Sequence, residues 1–142
     1  MPPQRAILRL IDANANRALE GLRVCEDVVR FGLEAAPEFR RLRRLRHAIA
    51  DAVTRLPVTS RDRVIARDSR QDPGRRAAAG RLQNLEHMLV VNLQRVKEAL
   101  RALEECARLF GPRHTASFQR LRFDVYDLER RLMLQLDTVR HS

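Results

Sequence analysis

The chain of 142 residues has no tryptophan, a single tyrosine, a single lysine (Lys97), two cysteines and only five glycines. Each shortage excludes something. Aromatics at 4% leave no platform on which a series of nucleotide bases could stack. Cys25 and Cys106 are too few for a disulfide framework, match no zinc spacing, and read as small apolar core residues. The scarce glycines form neither G-x-x-x-x-G-K-S/T nor G-x-G-x-x-G, and HExxH and CxxC are absent too. A nucleotide would therefore have to be held by arginines and helix N-termini rather than by a glycine cradle. His47, His87, His114 and His141 are scattered, with no local signature of nucleophilic catalysis. No apolar run approaches the roughly 20 residues needed to span a bilayer. The opening Met-Pro-Pro-Gln-Arg has no apolar signal-peptide core, so a cytoplasmic protein without a membrane partner is expected.

What is abundant is charge: 28 Lys and Arg against 18 Asp and Glu give a net charge of +10. Such a surface favours anions, whether nucleic acid, acidic lipid or phosphorylated metabolites. With few aromatics and no helix-turn-helix or RNA-binding motif, nucleic acid is the least favoured partner. The length fits one domain, residues 1–142, and the composition a nearly all-α protein.

One polar pattern occurs twice. Asn14, Arg17, Glu20, Leu22, Arg23, Glu26 and Arg30 recur as Asn92, Arg95, Glu98, Leu100, Arg101, Glu104 and Arg108, at a constant offset of 78 residues. A duplicated core would preserve apolar residues and let the polar surface drift; here mainly polar residues repeat. The pattern predicts two helices related by a pseudo-twofold, with a charged site between them.

Apolar spacing predicts a first helix from about Arg5 to Leu33 and a second from Pro37 to Leu56, whose outer face carries the arginine run Arg40 to Arg46. Pro57 to Ala77 has no helical period and reads as a long loop. A third helix follows from about Ala79 to Phe110, stopped by Gly111-Pro112. A fourth runs from about Ala116 to Val139, with Thr115 or Ser117 as N-cap. The expected fold is an antiparallel bundle of about four helices, the first and third central. An alternative is two helical hairpins exchanged between subunits, and a homo-oligomer is the expected assembly.

At about 100° per residue, Arg9, Asp12, Asn16, Glu20, Arg23, Asp27 and Arg30 form one stripe. It reads either as the wall of a groove or as a solvated ladder of ion pairs, each worth about 0.2–0.5 kcal/mol. Asn14 and Glu26, with Asn92 and Glu104, fall instead on the apolar arc, where a polar group needs a partner. Two solutions are open: an internal network pairing Arg17 and Arg95 with Glu26 and Glu104, and a ligand site. The loop segment Arg67, Asp68, Ser69 and Asp72 supplies carboxylates, a hydroxyl and a cation, a kit for Mg²⁺ and phosphate that solvated turns explain equally well.

The run Arg9-Leu-Ile-Asp-Ala-Asn-Ala-Asn-Arg-Ala-Leu-Glu-Gly-Leu-Arg-Val-Cys-Glu-Asp-Val-Val-Arg-Phe31 resembles the opening motif of the small helical domain often fused ahead of thiamine-phosphate synthase. Leu45-Arg46-His47, Ala66-Arg67-Asp68, Asp72 and Val91-Asn-Leu-Gln-Arg-Val-Lys-Glu-Ala-Leu-Arg-Ala-Leu-Glu-Glu105 are similar to its later motifs. The likeness covers roughly Arg5 to Phe110. That family is regarded as a hydroxymethylpyrimidine-phosphate kinase. The resemblance implies ATP- and Mg²⁺-dependent conversion of 4-amino-5-hydroxymethyl-2-methylpyrimidine phosphate to its diphosphate, with thiamine-phosphate synthase as a possible partner. For that activity we infer Arg17, Arg23, Arg95 and Arg101 as phosphate ligands, and Asn14 and Asn92, or Glu20 and Glu98, as readers of the aminopyrimidine. Asp68 and Asp72 would be the Mg²⁺ ligands, with Glu26 or Glu104 orienting. Where the family usually has Arg-Asp-Thr and then Asp-Val-Gly-Thr, this chain has Ser69, Pro73 and Arg75. A chain of this length is too short for the barrel of a synthase, which needs about 200 residues or more.

Overall fold

The computed structural model describes residues 4–141, with side chains described to residue 137. Among them are five α-helices and no strand: α1 (Arg5–Asp27), α2 (Ala36–Arg55), α3 (Ser60–Ala66), α4 (Leu85–Ala107) and α5 (Pro112–His141). Past Asp27, α1 continues as a π-helical turn, Val28–Gly32, in which the Leu33 amide donates to the Val28 carbonyl at 3.1 Å. Val28 and Val29 are both buried there. Glu34, in the left-handed region at φ 52°, ends the segment.

Four long helices pack in the order α1, α4, α5, α2 and back to α1, with the short α3 against α1. Ile11, Ala18, Leu22 and Cys25 of α1 meet Leu89, Leu93, Val96 and Leu100 of α4 in a core completed by Leu42 and Ile49 of α2 and Phe118 and Val125 of α5. A Cβ on Gly21 would touch Val96, and the Cys25 thiol lies 3.8 Å from the Leu89 carbonyl. Moving up α1 thus moves the contact down α4, and the two helices run antiparallel.

Three boundaries differ from the sequence reading. The segment Pro57 to Ala77 is not wholly a loop: Thr59 caps α3, its hydroxyl accepting from the Asp62 amide at 3.0 Å. The third long helix starts at Leu85 rather than Ala79, because the Asn84 side chain caps it by accepting from the His87 amide at 2.8 Å. The last helix starts at Pro112 rather than Ala116. Gly111, at φ 131°, makes the turn, and proline suits the first helical position because its missing N–H is not needed there.

Candidate functional site

Asp12 organises the N-terminal half of α1. The helical wheel put it in the charged stripe, yet only 4% of it is exposed. Its partners arrive on α3, a helix so short that it depends on packing against α1. Ala66 is buried, and the next residue, Arg67, grips Asp12 with two parallel hydrogen bonds, Nε to Oδ2 at 2.7 Å and Nη2 to Oδ1 at 2.9 Å. Arg63 stands 3.8 Å from the same carboxylate. The Asp12 hydrogen bond and charge raise the already high pKa of Arg67, so the guanidinium stays charged.

The segment that follows Arg67 lies over α1. Between them lies a cavity of about 460 Å³ lined by Arg9, Asp12, Asn14, Asn16 and Arg17 among others from the helix and by Arg67, Asp68, Ser69 and Asp72 from the segment. The size suits a small ligand. Asn14 donates to the Leu10 carbonyl at 2.8 Å and accepts from Arg17 at 3.4 Å. Asp68 accepts from the Gln71 amide at 3.3 Å, and Asp72 from the Gly74 amide at 2.8 Å, each using Oδ1. Asp68 Oδ2 lies 3.7 Å from Arg5. Among the described residues no group of three or more His, Cys, Asp or Glu forms a metal cage. Two carboxylates suit Mg²⁺ only when phosphate and water complete its shell.

All the first-copy and loop residues named from the sequence therefore do not gather at one point. Asn14, Arg17, Arg67, Asp68, Ser69 and Asp72 do, whereas Glu20, Arg23 and Glu26 lie further along α1 and none of the second copy lines the cavity. Antiparallel packing is the reason: it sends equivalent residues of the two copies toward opposite ends of the α1–α4 pair.

Glu26 and Glu104 have arginine partners, but not Arg17 and Arg95. Glu26, fully buried, is held by Arg46 of α2 at 2.6 and 3.1 Å, with Arg23 at 3.7 Å. Glu104 receives Arg122 of α5 at 3.3 Å on both oxygens and a short hydrogen bond from Arg101. The partners come from α2 and α5 because those helices cover the arc on which the glutamates sit. The missed signal was a second repeat: Leu42, Leu45, Arg46 and Ile49 match Phe118, Leu121, Arg122 and Val125 at a constant offset of 76 residues. Asn92 repeats the Asn14 contact, donating to the Met88 carbonyl at 2.8 Å. Glu98 accepts from Gln94 at 3.0 Å. Arg95 is exposed, with no ion pair among the described residues.

A larger open cleft of about 900 Å³ lies between the α1–α2 connection and α5, lined by Glu34, Glu38, Asp127, Arg130 and Arg131 among others. Its charges are mixed, and it holds none of the repeated residues.

The fold and the smaller cavity define a class: an all-helical protein with an arginine-lined pocket in which one of the arginines is paired with a buried carboxylate. Residues 9–131 match the model of the ThiD2 family, and the chain belongs to that family. It is similar to proteins named thiamine-phosphate synthase. The one from Nostoc punctiforme is 36% identical over 133 residues, covering 92% of this chain and 36% of the relative. That of Synechocystis is 40% identical over 131 residues, covering 90% and 36%. That of Gloeobacter violaceus is 36% identical over 137 residues, covering 89% and 36%. The chain thus spans about a third of the length of these relatives. No solved structure gives a significant match. No described helix is long and apolar enough to cross a membrane.

Proposed function

We propose that the chain is a cytoplasmic kinase of the thiamine pathway that transfers the γ-phosphoryl group of ATP onto 4-amino-5-hydroxymethyl-2-methylpyrimidine phosphate. Family membership supports the pathway. The observation that carries the chemistry is the convergence of Asn14, Arg17, Arg67, Asp68, Ser69 and Asp72 on one cavity from sites far apart in sequence.

In this reaction a phosphate oxygen of the acceptor forms a bond to the γ-phosphorus, the bond to the β,γ-bridging oxygen breaks, and ADP leaves. The second pKa of a phosphate monoester is about 6, so near neutral pH the attacking oxygen is already anionic and needs no general base. The protein's task is positioning and neutralisation of charge. Arg17 would hold the acceptor phosphate with its planar fork, and the Asn14 carbonyl oxygen would accept from the 4-amino group, since the Asn14 amide is committed to Leu10. Glu20 is the alternative reader of that edge. Asp68 and Asp72 would hold a Mg²⁺, which when bound would neutralise charge on the transferring oxygens. Arg95 of the second copy, with Asn92 and Glu98 beside it, lies outside this cavity and would hold an anion separate from the triphosphate of ATP. Arg23 and Arg101 are engaged with Glu26 and Glu104. The two hairpins α1–α2 and α4–α5 are, in this reading, pseudo-twofold mates from a duplication.

A second reading, a non-catalytic phosphate-ligand binder or scaffold of the pathway, is favoured by the internal pairing of Asp12, Glu26 and Glu104. One assay separates the two. Protein incubated with ATP, Mg²⁺ and the pyrimidine monophosphate is expected to yield a product one phosphoryl group heavier together with ADP, and Arg17→Ala to abolish turnover with helical content intact. Thermal stabilisation by the monophosphate without turnover would select the binder. Neither turnover nor stabilisation, with any nucleoside triphosphate, would overturn both.

A further inference from the structure

We propose that Asp12 is a positioning residue: acting through Arg67, its buried carboxylate holds the segment 67–72 against α1 and so creates the outer wall of the cavity. That this wall serves phosphoryl transfer rests on the function proposed above; the clamp itself does not.

Asp12 is buried in the third turn of a long helix, where a carboxylate is costly unless paired. Its ion-pair partners come from α3 and the residue after it, Arg67 lying 55 positions further along the chain. On the other side, the segment has little else to hold it. From Arg67 to Asn84 the backbone forms no helix, and its hydrogen bonds from Gln71 to Ala77 close local turns. Apart from Arg67, the ion pair tying Asp68 to α1 is that with Arg5, at 3.7 Å and with both side chains more than a third exposed. A pair of that kind contributes little. The Asp12–Arg67 contact is different in kind, with one partner buried and both oxygens engaged in a planar fork. Ser69 and Asp72, which complete the cavity, follow within five residues of Arg67 and inherit its placement.

Asp12→Asn keeps the side-chain size and removes the charge. Amide exchange in residues 67–76 is expected to accelerate about tenfold or more while the cores of α1 and α4 stay protected. With the pyrimidine monophosphate as substrate, kcat/KM should fall about tenfold, mainly through KM, because the machinery is displaced rather than removed. Arg67→Gln, at the exposed end of the pair, should reproduce the selective exchange, and it decides the matter should Asp12→Asn fail to fold. The double variant should exchange no faster than either single one, as groups acting through one contact require. Unchanged exchange of 67–76 in a folded single variant overturns the clamp. If wild-type protein shows no turnover, the kinase reading falls while the exchange data still decide the role of Asp12.

Discussion

Glu26 lies fully buried in the core, and its charge is tolerated because Arg46 meets both oxygens. Removing one member of such a pair strands the other, so Glu26→Ala should cost about 3–5 kcal/mol of stability, measured by urea unfolding. Glu104→Ala should cost about as much: Arg101, 59% exposed, can return to water, but Arg122, only 13% exposed against 21% for Arg46, is stranded in its turn. Polarity on an apolar arc is visible in a helical pattern, so the sequence shows that both glutamates need a partner, either an arginine or a ligand. The partner's identity was not visible from one helix, because it depends on which neighbour covers that arc. Cys25 is a second residue-scale case. Burial, then the nearby Glu26 charge, pushes its thiol from 9.0 up to about 12. The folded state therefore keeps its proton at a pH where the unfolded chain has lost it. Stability from this group is intact below pH 9 and declines between pH 9 and about 12 by about 1.4 kcal/mol per pH unit. In unfolding experiments from pH 8 to 10.5, Cys25→Ala should show a shallower fall than wild type. An equal slope would remove Cys25 as its source.

At the scale of elements, the α1–α4 contact depends on a missing side chain. A Cβ on Gly21 would lie 2.8 Å from Val96 Cγ2 and 3.2 Å from the Asn92 carbonyl oxygen, neither of which is the loose end of a flexible group. Alanine favours a helix over glycine by about 1 kcal/mol, yet overpacking costs about 1–3 kcal/mol, so Gly21→Ala should lower Tm. Adding Val96→Ala, which removes the opposing methyls, should cost less than that change does alone. Gly80, with nothing within 4 Å of its would-be Cβ, is the neutral control. The long helices were readable because apolar residues repeat over many turns. α3 was not: its seven residues are too few for a period, and its main signal, Thr59 followed three positions later by Asp62, resembles an ordinary polar turn. Gly111-Pro112 signalled a helix end, but the same pair also starts the next helix, so one turn does both tasks.

The whole molecule carries a net charge of +10, and its unpaired arginines repel one another. The screening length falls from about 10 Å at 0.1 M salt to about 3 Å at 1 M, so sodium chloride should raise Tm by weakening this repulsion. Phosphate at equal ionic strength should raise it further, for two separable reasons. It strengthens burial generally by exclusion from the surface, and it occupies any site that prefers the folded state by mass action. Sulfate, compared at the same ionic strength, reports the first effect together with unselective anion binding. Binding in the α1 cavity needs Arg17, which lines it and whose present contact is a 3.4 Å hydrogen bond to Asn14. Arg17→Ala should therefore abolish the excess of phosphate over sulfate while leaving the chloride response nearly unchanged, since it removes one positive charge from a molecule that keeps an excess of nine. Arg44→Ala, on the exposed face of α2, alters net charge equally and should keep the phosphate excess. Equal loss in both variants would mean that phosphate responds to overall charge, and the cavity would lose its claim as the anion site.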